Sequence, residues 1–456
     1  MVIHSSVLEL IGNTPIIKAQ RLDTGLCDLF LKLESANPGG SIKDRVGLSM
    51  IEAAECRGHI KPGATLVDGA ASSTSMGLAF VARQKGYRLI LVVPDNMGWE
   101  KISNLKAMGA EVILTRSDVS KGHPEHYQDL AEKLAAETPG AYFINQFGNA
   151  DNPAAHEFGT GPEILKQMGG HVDAVVLGCD SAGTITGLSR AFDSVASDVE
   201  LILADPVGSI LTQYINEGRR SDKSGTWLVE GIGSDCLPPI SDFRRIKKAY
   251  AISDAESFHT ARELLSKEGI LGGSSTGTLL AAALKYCREQ IERKRVLVFV
   301  CDTGNKYLLN MYNDDWMLDN GFLKGLHYGD LRDLILHPYS QRHTVVVDPN
   351  DLLTVAYQRM KRYGVSQLPV IEDRQLVGIV DESDVLLHVY GDETRFCDPV
   401  STAMVSKLHR LDVKSPIEAL LPVFERGQVA IVMEDAQFLG LITRIDLLNY
   451  LRRRMQ

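Results

Sequence analysis

The sequence has no run of apolar residues near the ~18 that a membrane-spanning helix requires. Its opening, MVIHSSVLEL, has neither the basic start nor the long apolar stretch of a secretory signal. Positive charge is not in excess. The formal net charge of −10 excludes a general binder of nucleic acid or anionic membrane, since either needs a basic field. Paired cysteines are also missing. The seven cysteines are an odd number with no C-x-x-C pair and no zinc-finger spacing, so neither a disulfide framework nor a metal site is expected. The implied protein is cytoplasmic, with reduced and mostly buried thiols.

What is present is a globular composition, 44% apolar and 23% charged. At 456 residues the chain exceeds one ordinary core, so two or three domains are expected. Up to about residue 315, near-continuous apolar runs (LFLKLE, LILVVP, EVILT, AVVLG, ELILAD, RVLVFVCD) alternate with helical stretches such as KISNLKAMGA and DLAEKLAAE. That alternation predicts an α/β fold with a parallel sheet covered on both faces, its ligands at the carboxyl ends of the strands. From about 335 an internal repeat begins. QLPVIEDRQLVGIVDESDVL and AIVMEDAQFLGLITRIDLL keep Glu372 and Glu434, Gly378 and Gly440, and Asp384 and Asp446 at one offset of 62 residues. TVVVDPNDLLTVAYQRMKRYG and KLHRLDVKSPIEALLPVFERG give each copy a strand–helix start. Two β-α-β-β-α units packed as a pseudo-dimer are expected.

Four turns carry candidate chemistry. In SANPGGSIKDR (35–45), turn residues lead through a capping Ser41 to Lys43 in the first helical turn. A lysine is unusual there because the helix dipole repels a cation. The same field, with burial, favours the free amine that a Schiff base needs; a solvated lysine beside Asp44 is the plainer alternative. In GCDSAGTITG (178–187), Ser181, Gly183, Thr184 and Thr186 at a helix start suit a phosphate, whereas Asp180 does not unless it points away. GILGGSSTGTLLAA (269–282) is a third such turn, and VDGAASSTSMG (67–77) a fourth.

A turn-borne lysine, a phosphate-type loop and a late Gly-Gly-Ser turn, in this order, resemble the fold-type II (tryptophan synthase β-like) pyridoxal-phosphate enzymes. They are similar in particular to the cystathionine β-synthase and O-acetylserine sulfhydrylase family. IGNTPIIK (11–18), SANPGGSIKDR, DNPAAHEFGTGPEIL (151–165), VEGIG (229–233) and the 269–282 turn carry the resemblance, over roughly residues 5–315. The C-terminal repeat resembles the paired CBS domains of that family. The expected organisation is a catalytic core at 1–315, a linker at 316–336, and CBS domains at 337–395 and 396–456. The haem-binding extension of animal members has no counterpart here, as in a bacterial form that starts at the core.

The resemblance implies that Lys43 forms the Schiff base with pyridoxal 5′-phosphate and moves protons. It implies that Ser274 faces the pyridine nitrogen and that Ser181, Ala182, Gly183 and Thr184 hold the phosphate. Ala70, Ser72, Thr74 and Gln146 would lie at the substrate carboxylate, and Ser73 at the cofactor's 3′-oxygen. Two loops depart from the family pattern. T-S-G-N-T-G becomes Ala70-Ala71-Ser72-Ser73-Thr74-Ser75, and G-T-G-G-T becomes Asp180-Ser181-Ala182-Gly183-Thr184. A side chain at a family glycine with positive φ adds strain of roughly 1 kcal/mol. The implied reaction is a β-replacement joining L-serine to homocysteine as cystathionine. The alternatives are cysteine synthesis from O-acetylserine and sulfide, or an impaired core serving as an adenosine-ligand sensor. In the repeat, GLITRID (440–446) matches the family's ribose pattern through Thr443 and Asp446, for an adenosine nucleotide or S-adenosylmethionine. In the first copy, Asp381 stands where Thr or Ser is expected. A homodimer or higher homo-oligomer is the expected assembly.

Overall fold

A computed structural model describes residues 3–70, 73–219, 224–324, 327–336, 338–339 and 344–453. The chain divides into two compact units, Met1–Tyr312 and Asn313–Gln456.

In the first unit the continuous apolar runs form two sheets. One is a four-stranded sheet in the order Glu111–Thr115, Arg88–Pro94, Thr65–Gly69, Ala141–Phe143, every pair parallel. The other has six strands in the order Ile16–Lys18, Asp28–Leu33, Arg295–Val300, Ala174–Leu177, Glu200–Pro206, Ile246–Ile252. Its first pair is antiparallel and the rest are parallel. Leu66, Leu89, Leu91 and Val93 of the smaller sheet pack on Val46, Met50 and Ile51 of the helix Lys43–Cys56, and on Leu78 and Val81 of the helix Ser73–Lys85. The other face of that sheet packs on Ala131 and Ala135 of the helix Tyr127–Glu137. Burial on both faces is why these strands read as apolar runs rather than as alternating ones. The two helices on the first face approach closely through glycine: a Cβ on Gly77 would lie 2.4 Å from the Lys43 carbonyl oxygen.

Three of the four turns read from the sequence leave the carboxyl ends of strands, as does Cys301-Asp302, whereas the 269–282 turn follows the helix Asp254–Glu268. SANPGGS follows Leu33, Ala70 follows Gly69, residues 178–182 follow Leu177, and Cys301-Asp302 follows Val300. The sequence pattern placed ligands there, and the topology supplies the loops.

The second unit contains the repeat. Each copy has an antiparallel hairpin leading into a helix: Gln367–Glu372 with Gln375–Asp381 and helix Glu382–Val389, then Ala430–Glu434 with Gln437–Ile442 and helix Arg444–Arg453. Both hairpins carry a bulge, at Val370/Ile371 and at Val432/Met433, so the 62-residue offset extends to backbone irregularity. The starts of the copies differ. The first has an eleven-residue helix, Leu353–Tyr363, whereas the second has only a 3-10 turn, Ile417–Leu420, running into Leu421–Glu425. Pro422 accounts for this, since a single helix from Ile417 to Glu425 would use the N–H it lacks. Leu331 and Leu334, ahead of the first copy, pack in the core of the second, with Val413, Leu420 and Ile442.

All seven cysteines are free. Cys27, Cys179 and Cys287 are buried, but Cys56, Cys236 and Cys397 are exposed, which corrects the expectation of mostly buried thiols. Cys56 and Cys397 are the last residues of their helices, and Cys236 sits in an irregular segment, where side chains leave the core. Among the described residues, no helix is long and apolar enough to cross a membrane, and no cluster of three or more His, Cys, Asp or Glu is placed to hold a metal ion.

Candidate active site

The strand-end loops enclose a cleft of about 610 Å³, its open mouth included. Ile42 and Lys43 enter it from the first turn, Ser73 from the second, Gly178 and Asp180–Thr184 from the third, and Cys301 and Asp302 from the fourth. Glu230, Ser275 and Tyr307 complete the polar lining.

Lys43 opens the helix Lys43–Cys56 and is buried, with 8% exposure, which excludes the solvated alternative. The turn ahead of it needs Gly40, whose φ of 80° is in the left-handed region. Ser41 Oγ accepts from the Lys43 N–H at 3.2 Å. Lys43 Nζ lies 3.5 Å from Ser181 Oγ, which also accepts from Asn152 Nδ2 at 2.9 Å. The lysine and the third loop thus meet at one hydroxyl.

That loop opens the thirteen-residue helix Gly183–Val195. The first helical hydrogen bond runs from the Thr186 N–H to the Ala182 carbonyl at 3.0 Å, so the N–H groups of residues 183–185 precede the ladder and are offered to a ligand. Ala182 has φ 67°. One of the two replaced glycines therefore carries the strain expected of a side chain there; Asp180 is not at a positive φ. Gly183 has no room for a side chain, since a Cβ would stand 1.9 Å from Asn152 Oδ1. Thr184 Oγ1 is 3.3 Å from His156 Nε2. His156 is fully buried in a short π-helical turn, His156–Thr160. Burial, with the charges of Lys43 and Arg45, pushes its pKa well below the usual value, so it is neutral and adds no cation to the loop.

Asp302 is buried at the end of its strand. Its Oδ2 accepts from Tyr307 Oη at 3.0 Å and from Ser73 Oγ at 3.3 Å, and Lys306 Nζ lies 3.8 Å away. Burial raises its pKa, against the charge of Lys306 and the Tyr307 hydrogen bond. At the cleft, Lys101 pairs with Glu230 and stacks over the Tyr307 ring at 4.6 Å.

Of the residues read from sequence, the cleft gathers Lys43, Ser73, Ser181, Ala182, Gly183 and Thr184. Ser274 is buried at the head of the helix Ser274–Arg288, with its Oγ accepting from the Glu230 N–H at 3.0 Å. Its neighbour Ser275 lines the cleft. Ala70 and Thr74 are fully buried beside the second turn, and Ser72 lies outside the described residues. Gln146 is buried, its carbonyl accepting from Asn152 Nδ2 at 2.8 Å and its Oε1 without a hydrogen bond. Sequence reasoning missed Asn152, His156, Asp302, Tyr307, Glu230 and Lys101. Asn152 and His156 lie inside DNPAAHEFGTG, Glu230 inside VEGIG and Lys101 inside NMGWEK (96–101), so a signal was present; Asp302 and Tyr307 follow an apolar strand with no flag of their own.

The residues fit pyridoxal phosphate. A buried amine stands beside an uncapped helix start on a glycine that tolerates no Cβ, and Asn152 Oδ1, Gln146 Oε1 and Asp302 Oδ1 are buried without hydrogen-bond partners. Lys43 would hold the cofactor covalently and the 181–184 loop its phosphate. The cofactor supplies an electron sink when bound, and the chain supplies orientation and proton placement.

Fold and site thus define a fold-type II pyridoxal-phosphate-dependent lyase joined to a CBS pair. The family described as "Pyridoxal-phosphate dependent enzyme" matches residues 7–302, and "CBS domain" matches 332–391 and 400–453. Cystathionine beta-synthase of Dictyostelium discoideum is 33% identical over 475 aligned residues, covering 100% of this chain and 93% of that protein. Cysteine synthase 1 of Neurospora crassa is 35% identical, over 69% of this chain and 84% of its own length. A hydrogen sulfide-producing enzyme from Fusobacterium nucleatum matches in structure with TM-score 0.63 at 33% identity, covering 67% of this chain and 100% of that one. The chain belongs to the cystathionine β-synthase family of pyridoxal-phosphate-dependent β-replacement enzymes.

In the second unit the Thr443 N–H and hydroxyl both donate to Asp446 Oδ2, at 2.7 and 2.6 Å. In the first copy Asp381 and Asp384 instead form a reciprocal capping box, which places two carboxylates at one helix start.

Proposed function

We propose that this enzyme condenses L-serine with homocysteine to give cystathionine. The observation that carries the reading is coverage. The cystathionine β-synthase relative matches core and CBS pair together, whereas the cysteine synthase matches 69% of the chain. In this reading Lys43 holds the cofactor and then moves protons at the substrate's α-carbon. Ser181, Ala182, Gly183 and Thr184 hold the phosphate, Ser73 and Ser274 attend the ring, and Ala70, Thr74 and Gln146 lie toward the substrate carboxylate. Burial of Lys43 beside Ser181 supports that assignment. The enzyme acts in the cytoplasm as a homodimer or higher homo-oligomer; its free thiols support the compartment.

The purified protein is expected to show the near-ultraviolet and visible bands of lysine-bound cofactor, both absent in Lys43→Ala. L-serine should change those bands, and homocysteine should then yield cystathionine. Turnover with O-acetylserine and sulfide, and none with serine and homocysteine, would make it a cysteine synthase. No turnover with either pair would leave the sensor reading.

For the CBS pair, the proposed ligand is an adenosine nucleotide or S-adenosylmethionine at Thr443 and Asp446. The Asp381–Asp384 pair would repel a phosphate in the first copy. Calorimetry on the full chain should show binding that Asp446→Ala abolishes. No heat with any adenosine ligand would refute the site.

A further inference from the structure

Pyridoxal phosphate has a fixed order around its ring: phosphate arm, lysine-linked carbon, ring hydroxyl, methyl group, ring nitrogen. With the phosphate on the 181–184 loop and the linked carbon at Lys43, as proposed above, the hydroxyl edge must face the polar wall that remains. In this cleft that wall includes Ser73, Asp302 and Tyr307.

The wall has a definite proton arrangement. A serine hydroxyl carries one proton, and Ser73 donates its proton to Asp302 Oδ2 at 3.3 Å. Tyr307 donates to the same oxygen at 3.0 Å. Asp302 is fixed in place. Its carbonyl accepts from the Gly273 N–H at 3.1 Å, and its Oδ1 sits so close to Gly273 that a Cβ there would be 1.9 Å away. With its proton on Asp302, Ser73 turns only lone pairs toward the ring. An asparagine in its place would offer two N–H donors.

We propose that Asp302 is a positioning residue that withholds the Ser73 proton from the cofactor's ring oxygen, so that the resting, lysine-linked cofactor keeps its own proton on that oxygen rather than on the linking nitrogen. The inference rests on the cofactor placement of the preceding section. No atom is gained or lost; one proton is shared between two sites of the same group. A donor to the ring oxygen favours its anionic form, which absorbs in the visible, and an acceptor favours the protonated form, which absorbs in the near ultraviolet.

The test is the ratio of these two bands in the substrate-free holoenzyme of Tyr307→Phe, on which the variants below are made, so that removing Asp302 frees no phenol proton. Asp302→Ala returns the Ser73 proton to the ring oxygen and should raise the visible-to-near-ultraviolet ratio about fivefold, the population change made by one neutral hydrogen bond. Ser73→Asn should raise it similarly. Ser73→Ala, and the double variant Ser73→Ala with Asp302→Ala, should stay within about twofold of the parent, because neither supplies a donor. If Asp302→Ala does not fold, the contrast between Ser73→Asn and Ser73→Ala carries the test. An unchanged ratio in Asp302→Ala or Ser73→Asn, or an equal rise in the double variant, overturns the inference. Lys43→Ala separates the two levels. If both bands persist in it, the cofactor placement fails and takes the inference with it; if both vanish while the ratio is insensitive to Asp302, the inference fails alone.

Discussion

Replacing Glu163 by glutamine should loosen the anchor of the lysine-bearing helix. Arg45, two residues after Lys43, donates from Nε and Nη2 to Glu34 at 2.8 Å each, and from Nη1 and Nη2 to Glu163 at 2.9 and 3.0 Å. Lys32 Nζ, fully buried, pairs with Glu163 and also donates to the Thr14 carbonyl and to Gln167 Oε1, at 2.7 Å each. Two cations thus face two carboxylates between a strand, a 3-10 turn and two helices. Burial works against the Glu163 charge, but hydrogen bonds from Arg45 and Lys32 outweigh it and hold its pKa at about 2, against an ordinary 4.5. At ~1.4 kcal/mol per pKa unit that difference is worth about 3 kcal/mol, within the range for breaking a buried ion pair. The Gln variant also leaves two buried cations to Glu34 alone. Thermal unfolding of the holoenzyme at pH 7 should show a midpoint lower by about 5 °C or more. Because the folded pKa is depressed, this stabilisation is present above pH 4.5 and is lost as pH falls toward 2. The gap between parent and variant should therefore shrink by about half near pH ~3. Adding Lys32→Met, which removes the stranded cation, should restore much of the loss. A gap under about 1 kcal/mol at pH 7, or one that does not narrow in acid, would refute the network's role.

Gly183→Ala should weaken cofactor affinity at least about tenfold in a fluorescence titration, since its methyl group would overlap Asn152 Oδ1 at 1.9 Å. Gly77→Ala should cost about 1–3 kcal/mol in denaturant unfolding, because its Cβ would meet the Lys43 carbonyl at 2.4 Å; no change would mean the two helices can part. Burial raises the Asp44 pKa to about 7, against the Gly39 N–H and the Lys306 charge. A raised carboxylate pKa gives stability that is complete below the unfolded value of 3.8 and lost as pH rises through about 7. Asp44→Asn should therefore flatten the fall in thermal midpoint between pH ~4 and ~7, and an unaltered slope would exclude Asp44 as its source.

Much of the site was legible because its chemistry is local. Lys43 after a glycine turn and the small residues of 181–184 each declare themselves within a few positions. The Asp302–Ser73–Tyr307 wall did not, because Ser73 and Asp302 are 229 residues apart in sequence and only the closing of two sheets brings them together. Ser274 and Ser275 show the same limit at finer scale. Adjacent residues on a helix point about 100° apart, and packing decided that Ser274 meets the Glu230 backbone while Ser275 faces the cleft.

By itself the sequence determined the parallel α/β class, the repeated C-terminal unit and three of the strand-end turns that line the cleft, since apolar periodicity, turn residues and repeat offsets are properties of neighbours along a chain. Tertiary structure alone decided which hydroxyls meet Asp302, which carboxylate is buried, and that Lys43 stands on a helix pinned by Glu34 and Glu163. Those depend on distances and desolvation between segments that sequence order leaves far apart.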